Sequence, residues 1–177
     1  DGGALVNTGA GDVTVTGFLE CNGNPSGALG YINNQGAAGT DLIVSGRVRC
    51  NYIASSAGSI SFFSDVQTYG TLQTTTGDVL IGGDCHVGGD LASTTGDITI
   101  YGNLYVRAAT TIAGAAGLLH VYGDAELIGA VGATNGTAVI TIDGIAQIRG
   151  AITATGTITY KGVHPDTLID TTATNAG

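Results

Sequence analysis

The chain has 177 residues, of which 31 are Gly and 11% are charged, with no Met or Trp and a formal net charge of −9. Five Lys and Arg supply no basic face for phosphate backbones or anionic membranes, which disfavours nucleic-acid binding. No apolar run approaches the ~18–20 residues needed to cross a bilayer.

An ordinary soluble surface is roughly 25–35% charged, so a deficit of this size is expected where much of the surface is covered in the working state. The length fits one domain, 1–177, with room for a core. Abundant Thr, Ala, Val and Ile between glycines favour strands and tight turns over helices. The chain opens on Asp1 and has no Met, which leads us to expect removal of a secretory leader and an extracellular, cell-surface location. Three cysteines are compatible with an oxidising exterior.

In chain order, Ala4-Leu5-Val6 reads as an opening half-rung. The first full rung follows: Val13 and Val15 alternate with polar residues, Gly17 turns, and Leu19 and Cys21 alternate with Phe18 and Glu20. Residues 22–38 are rich in Asn-Gly, Asn-Pro and Ser-Gly signals and read as an inserted loop with room for a short strand. The pattern resumes at Leu42/Val44, Gly46, Val48/Cys50. It returns at Ile60/Phe62, Val79/Ile81, Ile98/Ile100, Leu119/Val121, Ile140/Ile142 and Ile158/Tyr160. Pro165 cannot donate to a ladder, so 163–177 reads as an irregular tail.

The segments 75–93 and 94–112 overlay at a spacing of 19, sharing Thr-Thr-Gly-Asp, an apolar-x-Ile strand, a Gly and an apolar-x-Val strand. Internal repetition of this kind decides a fold. Strict period two, split by Gly and renewed every 18–21 residues, predicts an all-β parallel β-solenoid, a stacked β-arch arcade of about eight rungs. A Greek-key sandwich would need no such register between successive segments.

Stacking at ~4.8 Å per rung turns sequence positions into columns. Cys21 and Cys50 fall on one inward column, close enough for a disulfide; two buried free thiols are the other reading. Cys85 joins the neighbouring inward column with Leu19, Val48, Val66 and Leu104. Asp65, Asp84, Asn103 and Asp124 stack after the corner, and Asp12, Asp41, Asp78 and Asp97 recur where rungs open. Turn chemistry is the plain reading; divalent cations at the stacked carboxylates or an acid–base pair are the alternatives. No cofactor and no catalytic residue is indicated. His86, His120 and His164 are placed on different columns. The outward column Thr14, Ile43, Ser61, Leu80, Thr99, His120, Thr141, Thr159 is too broken for the flat threonine ladder of an ice-binding face.

Outward apolar residues are the main anomaly. Phe18, Ile43, Phe63, Leu80, Tyr101, Tyr105, Tyr122 and Ile145 point away from the core by alternation, and grouped apolar surface marks contacts.

From Gly11 to Gly162 the stacked arches, Gly/Thr/Ala richness, low charge and few cysteines resemble the amyloid-like hoop subunits of the sheaths around filamentous methanogenic archaea. A weaker similarity is to bactofilin-type β-helices. The first resemblance implies a non-enzymatic extracellular protein whose partners are copies of itself, assembling into a filament, hoop or sheath. A carbohydrate-binding or polysaccharide-cleaving β-helix and a viral fibre or adhesin module are the alternatives.

Overall fold

The structure, a computed structural model, describes residues 3–21, 30–112 and 117–165. Among them the chain is all-β, without a helix, and every strand pairing is parallel. It winds as a parallel β-solenoid of about seven turns, and Ile152–Ala154 and Thr157–Val163 begin an eighth.

Each turn contributes to three faces. The front face holds Val13–Val15, Asp41–Val44, Ser59–Phe62, Val79–Ile81, Ile98–Ile100 and Leu118–Val121. The side face holds Leu19–Cys21, Val48–Cys50, Val66–Thr68, Cys85–Val87, Leu104–Val106 and Ala125–Leu127. The long strand Val139–Ile148 serves both, because it runs through the corner without a break. A back face of eight strands runs from Ala4–Asn7 to Ile152–Ala154.

The repeat behaves as its sequence predicts. Val79 pairs with Ile98 and Ile81 with Ile100. Parallel pairing in register sends both side chains of each such pair inward, so apolar residues stack into continuous columns. Val44, Phe62, Ile81, Ile100 and Val121 are fully buried in one of them. The expected column of Leu19, Val48, Val66, Cys85 and Leu104 is likewise in register.

The back face corrects the reading of 22–38 as an insertion. Tyr31–Asn34 is an integral strand that pairs with Ala4–Asn7 on one side and Tyr52–Ser55 on the other; residues 22–29 lie outside the described residues. The back-face strands Leu72–Thr74, Leu91–Ser93 and Thr110–Ile112 have only three residues each, and a polar residue at one inward position hides their alternation. Where the polar residue ends the strand it has a job. The hydroxyls of Ser55, Thr74 and Ser93 donate to the carbonyls of Gly58, Gly77 and Gly96, and Asn34 Nδ2 donates to Ser59 O at 2.7 Å. Buried polar groups need such partners, and here each closes the corner that returns the chain to the front face.

Thr-Thr-Gly-Asp is therefore a corner device. Thr95 Oγ1 donates to Thr75 O at 2.8 Å on the preceding turn. Gly77 and Gly96 pack backbone on backbone where a Cβ would collide with the turn before. Asp78 then accepts from the next turn's Asp97 N at 2.9 Å. At the other end of the chain the ladder runs further than expected: Val163 belongs to the last strand, and His164 N still donates to Ala146 O at 2.9 Å. Residues 166–177 of the expected tail lie outside the described residues.

Candidate assembly surfaces and the axial groove

Cys21 and Cys50 are direct partners in the ladder, as their spacing requires. The expected disulfide is not formed: both are buried free thiols, as is Cys85. Parallel strands in register hold Cβ atoms near the ladder spacing of ~4.8 Å, whereas a disulfide wants Cβ atoms ~3.8 Å apart. Burial, with the neighbouring Cys21 thiol adding to it, pushes Cys50 up to about 12 from its ordinary 9.0. Burial raises Cys21 as well, and raises Cys85 further. At neutral pH these thiols are protonated and inert.

An alkaline prediction follows. An unfolded thiol ionises near its ordinary value but the folded Cys50 does not, so its contribution is complete below pH ~9 and is lost as pH climbs towards about 12. Denaturant titrations of the wild type should therefore show stability falling over that window by an amount on the order of a few kcal/mol. Cys50→Ala should make the slope shallower, with Cys21 and Cys85 supplying what remains. An unchanged slope in the variant, or none in the wild type, would count against buried free thiols.

The acidic column is a ladder of a specific kind. Asp65 Oδ1 accepts from Asp84 N at 3.1 Å, Asp84 Oδ1 from Asn103 N at 2.8 Å, Asn103 Oδ1 from Asp124 N at 2.9 Å, and Asp124 Oδ1 from Ile145 N at 2.8 Å. A second ladder links Asp12 to Asp41 N, Asp78 to Asp97 N and Asp97 to Leu118 N. The turn-chemistry reading located these residues correctly but assigned them the wrong partner. They tie one turn to the next instead of bonding their own turn, and no described non-Gly residue has positive φ. Partial burial raises the Asp97 carboxyl, the Asp78 charge adds to this, and the Leu118 N–H opposes it. No group of three or more His, Cys, Asp or Glu among the described residues is placed to hold a metal ion.

The eight residues expected on an assembly surface separate into distinct places. Phe63, Tyr101 and Tyr122 stand in one outward column, interrupted by Gly82, and are 59%, 51% and 46% exposed. The Tyr101 and Tyr122 rings stack with centroids 4.9 Å apart and planes 11° from parallel. His120 stacks on Tyr122 at 4.1 Å and its Nε2 lies 3.0 Å from Asp143 Oδ2. Phe18 and Ile145 are exposed at opposite ends of the acidic column. Ile43 and Leu80 are half-buried and separated by Ser61 on the front face. Tyr105 is half-buried between His86 and Glu126 on the side face.

Several surface residues escaped the sequence reading. Tyr31 and Tyr52 are ladder partners on the back face; Tyr31 was hidden because 22–38 read as a loop. Tyr69 lies under the Arg49 guanidinium, 5.2 Å from centroid to Cζ, and accepts from Arg49 Nε at 2.6 Å. His86 and His164 were assigned to different columns. Both in fact line a groove along the side face, with a volume of about 710 Å³, walled on one flank by the acidic ladder.

The fold and these columns define a β-solenoid repeat protein. Comparison with models of known protein families, with characterised proteins and with solved structures returned no match to this chain.

Proposed function

We propose that this chain is the subunit of an extracellular structural polymer, a filament, hoop or sheath, whose partners are copies of itself stacked along the solenoid axis. The observation that carries the proposal is the state of the core in the first turn. Leu5, Val13, Val15 and Leu19 there are core-packed apolar residues left partly open, whereas among the described residues of the last turn Tyr160 is the one such residue and Ile152 and Ile158 are buried. The counterparts of the first-turn four one turn in, Ile32, Leu42, Val44 and Val48, are all 0% exposed. An open sheet end of this kind is a template for further pairing, and a repeat protein that remains single covers it with a polar cap.

Charge favours first turn against last. The described first turn carries Asp12 and Glu20 and no base, whereas the residues from Arg149 to Pro165 carry Arg149, Lys161 and His164 and no acid. A second copy seated head to tail brings opposite signs together and extends every inward column, as cross-β stacking does. The finer likeness to archaeal sheath hoops belongs to this proposal and gains support from the same low charge and stacked arches.

Net charge −9 opposes association through self-repulsion, so salt should promote it. Divalent cations would act more strongly where carboxylates of neighbouring copies approach. Light scattering with negative-stain microscopy tests the proposal. Filaments or rings that lengthen with salt are expected, and a stable monomer at high concentration and physiological salt would refute it.

A further inference from the structure

The side-face groove has chemistry that axial stacking does not use. Its two walls are columns that repeat once per turn, at ~4.8 Å, so it offers the same kind of contact again and again along one line. One wall is the ladder of Asp84, Asn103 and Asp124; the other carries Gln67, His86 and Tyr105. His86 and Tyr105 lie with ring centroids 4.4 Å apart and planes 34° apart, which makes a continuous ring surface beside the acceptors. Cys85 and Leu104 form part of the floor.

The ladder matters for what this groove can bind. Each ladder residue spends Oδ1 on the next turn's N–H, which fixes the side chain and leaves Oδ2 for a ligand in the exposed Asp84 and Asp124; Asn103 Nδ2 donates one hydrogen to Asp84 Oδ1 at 3.2 Å and keeps its other for a ligand. Much of the charge is already met. Arg47 lies 3.6 Å from Asp65, and Arg149 lies 3.2 Å from Glu126. What remains is a row of fixed polar groups, two carboxylate acceptors flanking an amide donor, facing ring surfaces and an amide, with enough residual negative charge to repel an anionic chain.

We infer that this groove binds a linear, uncharged polysaccharide lying parallel to the solenoid axis. Sugar hydroxyls would donate to Asp84 and Asp124 and accept from the second Nδ2 hydrogen of Asn103, while C–H faces of the sugar rings lie on Tyr105 and His86. A repeating ligand suits a repeating wall, and a fixed row of polar groups in a partly apolar cleft is how ligand orientation is set. The inference stands independently of polymer assembly, since a single copy contains the whole groove.

The test is isothermal titration of the intact chain with neutral hexasaccharides of β-glucan, α-glucan and chitin, alongside polygalacturonate and spermine. Binding of at least one neutral hexasaccharide is expected, with polygalacturonate excluded. Tyr105→Ala should weaken it roughly tenfold, the scale of losing one ring face. Asp84→Asn should weaken it about threefold to tenfold, because Asn103 shows that an amide can keep the ladder bond while the free acceptor oxygen becomes an amide donor. Circular dichroism confirms that both variants are folded, and His86→Ala serves as a second ring deletion if Tyr105→Ala does not fold. No binding by any neutral hexasaccharide at millimolar concentration would overturn the inference. So would affinity unchanged on deleting either ring, or binding of spermine alone that Asp84→Asn abolishes, the last pointing to a cationic ligand.

Discussion

Gly123→Ala is expected to lower the unfolding temperature by roughly 5–10 °C. Gly83, Gly102, Gly123 and Gly144 stack at the front-to-side corner, each N–H from Gly102 onward donating to the Gly carbonyl one turn before. A Cβ on Gly123 would lie 2.6 Å from Gly102 O and 2.8 Å from Gly102 C, inside contact distance of backbone that ladders hold from both sides. Overpacking of this sort costs about 1–3 kcal/mol, and about 2–4 °C accompanies each kcal/mol in a domain of this size. Gly11→Ala is the control, since a Cβ there meets nothing within 4 Å. Thermal unfolding followed by circular dichroism checks the pair. Equal melting temperatures for both variants would mean that the corner yields and the glycine column is not a packing requirement.

That corner also shows what could be read from the sequence. Two strands of every turn were legible because apolar residues alternate strictly and a Gly follows each front strand except Ser59–Phe62, where Ser64 takes its place. The tandem segments then fixed the register, and Val79 against Ile98 follows from it. The complete outward column from Thr14 to Thr159 was legible for the same reason. In-register stacking needs only one correct pair to place all others.

The back face was not legible, and the cause is physical. Its strands bury a hydroxyl or amide at the position before the corner, at Asn34, Ser55, Thr74 and Ser93, so the apolar period disappears where the chain must also turn. Side-chain hydrogen bonds to backbone carbonyls stand in for apolar burial there, and a reading based on hydropathy has no access to them. The surface was read correctly one column at a time and incorrectly in combination. Asp84 and Tyr105 were each placed in a column, but only the short side face, with those two columns two residues apart along each turn, brings them to one groove. The ladder bonds of Asp65 through Asp124 depend on the three-dimensional offset between turns, which spacing alone does not provide.

Paired lysines in the first turn, Val13→Lys with Val15→Lys, are expected to abolish growth along the axis while leaving a folded subunit. Both valines point inward but are only half-buried, so in a single copy the lysine stems can lie on Leu42 and Val44 with their ammonium groups in water. Leu42 and Val44 remain 0% exposed beneath them in the native chain, which keeps the rest of the core out of the substitution. Stacking changes the account. Once the last turn of a second copy covers this edge, two cations lose water without a partner at the core position, a cost of several kcal/mol. That corresponds to a rise of about a hundredfold or more in the concentration needed for assembly. Tyr101→Asp with Tyr122→Asp provides the contrast, since that stacked pair lies on the outer wall, away from the open ends. It should weaken sideways association of filaments and leave their length unchanged. Sedimentation of assembled material, with circular dichroism of each soluble variant, reads both effects. If the lysine variant grows as the wild type does and the aspartate variant does not grow at all, the contacts between copies are lateral and the axial proposal fails.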